Sequence, residues 1–223
     1  MNKHLLIFSF LIFLFCSAKS QFAYRINADI LTKTRLVDST FQVSKGKMYY
    51  DINNKKIIFD FTFPRKEKIV LFDTIMYTYN EQGLQSTNVN FLIPQQSIFH
   101  FMLTGNMSNY GLQESNFVAS NFERKKDMIV TTWNAPEQMK PILSKILIAT
   151  KNKQLYSITM VDGEDQVMNR QILKNYQKFD GIEIPTEILV ATYLSSGNMY
   201  QIITLSNMVL NENGNNQRYN HDL

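Results

Sequence analysis

The stretch Lys55-Lys56-Ile57-Ile58-Phe59-Asp60-Phe61-Thr62-Phe63 (residues 55–63) decides the fold class of this 223-residue chain. Large apolar side chains occupy every second position up to Phe63, and Asp60 and Thr62 fall between them. This alternation is typical of a β-strand buried on one face, because successive side chains of a strand point to opposite sides of the sheet. Pro64 follows as a breaker, so we predict a strand that ends there.

Runs of the same kind occupy most of the chain on both sides of this stretch. Short polar turns, such as residues 151–153 and 195–198, lie between them and are typical of hairpins. We therefore predict a mainly β (α+β) fold built on an antiparallel sheet, in one domain over residues 21–210. The predicted strands cover residues 29–34, 48–50, 55–63, 68–72, 75–79, 144–150, 155–161, 167–177, 187–194 and 200–210.

One interval interrupts the strands. After Pro94, the apolar residues Ile98, Phe101 and Met102 recur at helical spacing, and Gly105 follows them. Proline is favoured in the first turn of a helix and glycine just after its end. We predict a helix of two or three turns with one apolar face.

Both ends of the chain differ from this central domain. A short basic start, the apolar block 5–15 and small residues before Gln21 predict a secretory signal peptide over residues 1–20, so the protein is expected to be exported. The only cysteine, Cys16, follows the large Phe15, whereas lipoprotein processing needs a small residue there. Soluble release is therefore favoured over a lipid anchor. The polar tail, residues 211–223, is predicted to be flexible.

Charge and cysteine content exclude several function classes. Removal of residues 1–20 leaves 21 basic and 19 acidic residues, a net charge of +2. Such a balance predicts neither a nucleic-acid-binding protein nor a strongly basic membrane-surface protein. The exported chain would contain no cysteine, and therefore no disulfide, thiol nucleophile or thiolate metal site.

A search for catalytic patterns favours a protein without enzymatic activity, cofactor or metal. His100 and His221 have no partner at metal-ligand spacing, and the chain has neither a Gly-x-Ser-x-Gly elbow nor a glycine-rich phosphate loop. His100 is interpreted as a helix-face residue. The acidic run 162–165 contains Asp-Gly and lacks the ligand series of a calcium loop, so we interpret it as a hairpin turn.

Three consecutive segments resemble the periplasmic lipoprotein carriers of the LolA type. In residues 44–50 a glycine, Gly46, begins a strand that ends in aromatic residues. Residues 57–64 form a strand that leads into a proline, and in residues 68–80 a turn precedes a strand that ends in Tyr79-Asn80. Residues 155–162 and the strand pair up to Leu210 occupy the positions of the family's second run of strands.

The resemblance implies a strongly curved sheet forming a half-open barrel, with short helices as a lid over an apolar cavity. A carrier of this family shields the acyl chains of lipoproteins and moves them through the periplasm, from an inner-membrane donor to an outer-membrane acceptor, as a monomer. The expected cavity wall consists of Ile57, Phe59, Phe61, Phe63, Ile75, Tyr77 and Tyr79, and the expected lid residues are Ile98, Phe101 and Met102.

The sequence also departs from the family pattern. The family has an Arg-Pro pair in the turn after the aromatic strand, whose arginine links sheet and lid, and residues 51–56 contain no such pair. Between the predicted cut before Gln21 and Asp29 lie eight residues, where the family has a longer amphipathic helix before its first strand. The cargo could thus be another lipid or a lipidated protein. Two alternatives remain: an envelope adaptor with a packed interior that binds protein through an edge strand, and a hydrolase with an unrecognised site.

Overall fold

The computed structural model describes residues 23–89 and 94–222, and the predicted signal peptide, Cys16 and Gln21 lie outside these ranges. The described residues form thirteen strands and two short α-helices, α1 (Ile98–Thr104) and α2 (Asn216–Tyr219). The strands are β1 (Arg25–Arg35), β2 (Phe41–Asp51), β3 (Lys56–Phe63), β4 (Glu67–Phe72), β5 (Ile75–Asn80), β6 (Gly83–Val89), β7 (Val118–Lys125), β8 (Met128–Asn134), β9 (Lys145–Lys151), β10 (Gln154–Val161), β11 (Val167–Phe179), β12 (Ile182–Leu194) and β13 (Gly197–Leu210).

All thirteen strands belong to one antiparallel sheet with the order β6-β5-β4-β3-β2-β1-β13-β12-β11-β10-β9-β8-β7. The sheet is curved and does not close, and β6 and β7 are its edges. The first and last strands pair at its centre, with Ile30 opposite Leu205 and Arg35 opposite Tyr200. The chain therefore meanders outward to one edge, crosses to the other edge and meanders back. This confirms the predicted mainly β, curved antiparallel fold.

The crossing segment contains α1, which packs against β1 and β12 near the middle of the sheet. We call the face that carries α1 the concave face and the opposite face the convex face. Ile26, Met48 and Ile188 of the sheet and Met102 and Leu103 of α1 are at most 2% exposed and share one apolar cluster. The core of the protein therefore lies between the helix and the sheet.

A close approach of two strands fixes the concave surface at Gly46. The ladder between β2 and β3 shifts between Lys45 and Gly46, so one residue of β3 bulges out. A Cβ at position 46 would lie 2.2 Å from the carbonyl oxygen of Asp60 and 2.6 Å from the Cα of Phe61. Only glycine fits there without moving backbone.

Arg25 joins the polar tail, which the sequence predicts to be flexible, to the sheet. The Arg25 guanidinium forms a buried ion pair with Asp51, with Nη2 and Oδ2 2.9 Å apart. Its Nη1 also donates to the backbone carbonyls of Glu212 and Gly214, both at 3.2 Å. The same guanidinium lies 4.5 Å from the ring centroid of Tyr219. The contacts with Glu212, Gly214 and Tyr219 join residues 187, 189 and 194 positions apart, which local composition does not reveal.

Tyr219 of α2 is fully buried against the convex face. Its hydroxyl donates to Glu212 and accepts a hydrogen bond from the amide of Asn27, both at 2.8 Å. The tail thus covers a second, smaller apolar cluster on this face, which contains Tyr49, Ile58 and Val70, with Tyr77 and Tyr79 packed beside it.

Most predicted elements occur in the structure, and α1 follows its prediction closely. The turn at Asp73-Thr74 separates β4 from β5, and residues 162–165 form the turn between β10 and β11. The sequence did not predict the edge strands β6 and β7 or the strand β8, and it predicted only the last residues of β2. Within the described ranges, no helix combines the length and apolar character needed to cross a membrane.

Candidate functional site

The helix α1 has caps of the expected type at both ends. The hydroxyl of Ser97 accepts a hydrogen bond from the backbone N–H of His100 at 3.3 Å, and Gly105 follows the helix with a φ of 76°. Serine at this position satisfies a free N–H group, and glycine adopts the left-handed conformation without steric cost. The sequence therefore places a short, well-delimited helix between the two edges of the sheet.

Apolar packing and a hydrogen bond between Tyr50 and His100 connect α1 to the sheet. The rings of Phe99 and Phe59 lie 6.5 Å apart in an edge-to-face arrangement. The hydroxyl of Tyr50 lies 2.7 Å from Nδ1 of His100, and Tyr50 has no exposed surface. Burial raises the pKa of this phenol above its ordinary value, so it remains protonated. Sheet and helix are thus linked by Tyr50 and His100 in a chain that lacks the Arg-Pro pair.

The structure brings part of the predicted cavity wall together with the predicted lid residues. Pairing of β2 with β3 puts Ile57, Phe59 and Phe61 on the concave face, where the first is buried and the other two are half-buried beside the main cluster. Phe63 does not join them, because the bulge after Phe61 puts it opposite Lys45 on the convex face. It is 50% exposed there, with the ammonium of Lys45 6.0 Å from its ring centroid, so its expected place in the cavity wall is wrong. The lid residues Ile98, Phe101 and Met102 are all buried in the same cluster.

The other part of the predicted wall lies on the opposite face, which corrects the sequence interpretation. Val70 pairs with Ile58 on one side and with Tyr77 on the other, so Ile75, Tyr77 and Tyr79 share the convex face. Tyr79 packs there against His221 of the tail, with ring centroids 4.6 Å apart. The alternation in β5 correctly predicts that these three residues share one face. It was wrong to assign that face to the cavity, because the tail packs on the convex face and makes it apolar as well.

The concave surface next to α1 includes residues that the sequence analysis missed. Ile69 and Leu71 of β4 lie opposite Phe59 and Ile57, and Met76 of β5 lies opposite Leu71. All three are half-buried. The register of the hairpin formed by β3 and β4 identifies Ile69 and Leu71, because directly opposed residues of neighbouring strands share a face of the sheet. Together with Phe59 and Phe61 they form what we call the apolar wing of the concave face.

Toward the end of the sheet that carries Arg35, the concave face becomes polar but uncharged. Thr34 accepts a hydrogen bond from the amide of Gln201 at 3.1 Å, and Thr192 accepts one from Asn169, also at 3.1 Å. The concave face therefore presents uncharged amides and hydroxyls at this end of the sheet. Across the described residues, no cluster of three or more His, Asp or Glu side chains is arranged to hold a metal ion.

Several solved structures share this architecture, an unclosed antiparallel half-barrel with a helical crossing segment on its concave face. A LolA superfamily protein from Nitrosomonas europaea matches with a TM-score of 0.59 and 15% identity, over 90% of this chain and 91% of that one. A DUF1329 family protein from Desulfovibrio piger matches with a TM-score of 0.63 and 12% identity, over 90% and 91% of the two chains.

A third solved structure has a similar fold. A domain described as an outer membrane lipoprotein-sorting protein, from Vibrio parahaemolyticus, matches with a TM-score of 0.61 and 9% identity, over 87% of this chain and 89% of that one. No protein-family model matches the sequence, and a comparison with curated proteins finds no match. The resemblance to LolA-type proteins is thus confirmed for the fold of the chain.

Proposed function

We propose that this protein is a periplasmic carrier, without enzymatic activity, that binds the acyl chains of lipoproteins or of other lipid cargo on its concave face. The observation that carries the proposal is the apolar wing beside α1. Phe59 and Phe61 remain half-buried although they adjoin a helix whose Met102 and Leu103 are fully buried. Cargo would cover the apolar wing and displace α1 from its packing position on the concave face. The protein would then carry the bound cargo toward the outer membrane.

The energies of helix and cargo are comparable, as a carrier requires. Five buried apolar side chains hold α1 in place: Ile98, Phe99, Phe101, Met102 and Leu103. At about 1.5–3 kcal/mol each, exposing all of them costs roughly 7–15 kcal/mol. An acyl chain of about fifteen methylenes gains roughly 12 kcal/mol on burial, at about 0.8 kcal/mol each. Binding then nearly balances the displacement of the helix, so cargo can enter and also leave.

The adaptor hypothesis is the second candidate, because α1 already fills the centre of the concave face. In that case the helix would stay in place, and a protein partner would bind elsewhere. The two hypotheses differ in what the purified protein contains. Native mass spectrometry of the protein from its own envelope should detect bound lipid or an acylated peptide if it is a carrier.

A matched pair of variants localises the binding site. Phe61 lies opposite Gly46 on the concave face, and its exposed neighbour Thr62 is the residue that bulges out of the ladder between β2 and β3. We expect Phe61→Glu to abolish binding of a pyrene-labelled fatty acid and to remove the co-purifying lipid, and Thr62→Glu to preserve both. Circular dichroism checks that each variant is folded. A wild-type protein that carries no lipid and does not bind the probe would refute the carrier and favour the adaptor.

A further inference from the structure

An exposed patch of apolar and basic residues lies on the convex face, near the end of the sheet where β1 meets the β1–β2 turn. Arg35 lies between Phe41 of β2 and Tyr200 of β13, and two residues earlier Lys33 lies opposite Ile202 of β13. Directly opposed side chains share a face of the sheet. We call Lys33, Arg35, Phe41, Tyr200 and Ile202 the rim patch.

The apolar members of the rim patch are unusually exposed for residues in the middle of a sheet. Phe41 is 76% exposed, Tyr200 42% and Ile202 41%. Val37 and Leu194, in and next to the two turns at the same end of the sheet, are also exposed. Single exposed apolar residues are common, but a contiguous group indicates an interaction surface.

The other half of the convex face shows what a covered surface looks like in this protein. There the tail buries Tyr49, Ile58 and Val70 beneath Tyr219. Among the described residues, no segment covers the rim patch in the same way, since Phe41 and Tyr200 remain exposed. The patch is therefore a sheet face that lacks its partner.

The charges of the rim patch identify that partner as anionic. Lys33 and Arg35 are exposed, and within the described part of the chain neither forms an ion pair with a carboxylate. Arg35 donates to the hydroxyl of Ser39 at 3.1 Å. The nearby Asp38 accepts hydrogen bonds from the backbone and hydroxyl of Thr40. Two cations thus stand among exposed aromatic and aliphatic side chains.

We propose that the rim patch docks the protein on an anionic phospholipid surface. Apolar side chains beside Lys and Arg are the combination that binds the interface of a bilayer, where the rings enter the headgroup region and the cations contact lipid phosphates. The patch lies at the same end of the sheet as Phe63 and the polar end of the concave face. Docking there brings the concave face next to the lipid from which cargo would come.

The position of the patch disfavours a protein strand as the partner. β1 and β13 lie at the centre of the sheet and are hydrogen-bonded on both sides. Their backbone groups are therefore used, and a peptide cannot add as a further strand there, as it can at the edges β6 and β7. Binding at the rim patch depends on side chains alone, which suits a fluid headgroup layer.

Vesicle co-sedimentation tests the proposal. The exported protein, checked by mass spectrometry to carry no acyl group, is mixed with vesicles of phosphatidylcholine alone or of phosphatidylcholine with phosphatidylglycerol. We expect binding to the anionic vesicles that weakens with salt, as the Debye length falls from about 10 Å at 0.1 M to about 3 Å at 1 M. The double variant Lys33→Gln/Arg35→Gln should lower the partition coefficient by about 20- to 30-fold, from about fivefold per charge. Phe41→Ser should weaken binding to the anionic vesicles and leave the salt dependence of that binding unchanged.

Two control variants match the test variants at the opposite end of the strands. Lys178 of β11 is an exposed cation there, and Val209 of β13 is 45% exposed on the convex face. Lys178→Gln and Val209→Ser should bind vesicles as the wild type does. Equal binding to neutral and anionic vesicles, no binding at all, or an equal loss in the control variants would overturn the proposal, and a soluble protein ligand would then be the partner to seek. Binding of the pyrene fatty acid is measured in parallel, so that failure of docking is distinguished from failure of the carrier function.

Discussion

The hydrogen bond between Tyr50 and His100 offers a direct test of whether α1 must move away from the sheet before cargo binds. In Tyr50→Phe the ring remains and its edge-to-face contact with the His100 ring, at 6.2 Å between centroids, can persist. Only the hydroxyl that lies 2.7 Å from His100 Nδ1 is removed. A hydrogen bond of this kind contributes about 1–1.5 kcal/mol net. If α1 must move before cargo enters, its open state becomes about 5- to 12-fold more populated.

Stopped-flow binding of the pyrene fatty acid measures this population. The association rate of Tyr50→Phe should rise about 5- to 12-fold over the wild type, while urea unfolding shows a stability loss of about 1–1.5 kcal/mol. Tyr49→Phe is the matched control, because Tyr49 points to the convex face against Tyr219 and should not change the rate. An unchanged or slower association of Tyr50→Phe, together with the expected stability loss, would refute movement of α1 as the step that admits cargo.

Three further predictions concern the sheet and the tail. Gly46→Ala should lower the free energy of urea unfolding by about 2–3 kcal/mol or more, because its Cβ would meet the backbone of Asp60; a neutral result would contradict the observed strand approach. Tyr219→Ala should cost about 3–5 kcal/mol in the same assay and expose the tail to protease, whereas an unchanged protease pattern would mean that the tail is held without it. Burial, and then the nearby Lys68 and Lys56, lower the pKa of His221 below its ordinary 6.5, so its contribution to stability is present above pH 6.5 and is lost as pH falls through the lowered pKa. Thermal unfolding from pH 7.5 to 5 should show this loss in the wild type and a smaller one in His221→Gln.

The interior of the sheet was more predictable than its edges. β3, β5 and β10 alternate apolar and polar residues or form apolar runs, so they were recognised. The edge strands β6 and β7 are exposed on nearly every residue and carry no such pattern. Strand β8, with its run Met128-Ile129-Val130, does not alternate either. Their pairing depends on backbone hydrogen bonds to a neighbouring strand, which any sequence can form.

The candidate site was predictable in its residue types but not completely in its location. Phe59, Phe61 and the apolar residues of α1 were identified, because the strand and helix periods mark one apolar face for each element. The docking of the tail was not, because Arg25, Asp51 and Tyr219 meet only in the folded chain. The near-neutral net charge likewise concealed the basic rim patch, since net charge sums over all surfaces.

The sequence by itself determined the antiparallel mainly β class, the positions of most hairpin turns and the single helix between Pro94 and Gly105. These depend on local periodicity and turn chemistry, which neighbouring residues encode. The tertiary structure alone decided which face of each strand is concave, and it put Ile75, Tyr77 and Tyr79 on the convex face instead of beneath α1. The alternation of apolar and polar residues separates the two faces of a strand, but it does not specify which element packs on each face. In this protein each face is covered in part, one by a helix from the middle of the chain and the other by its end.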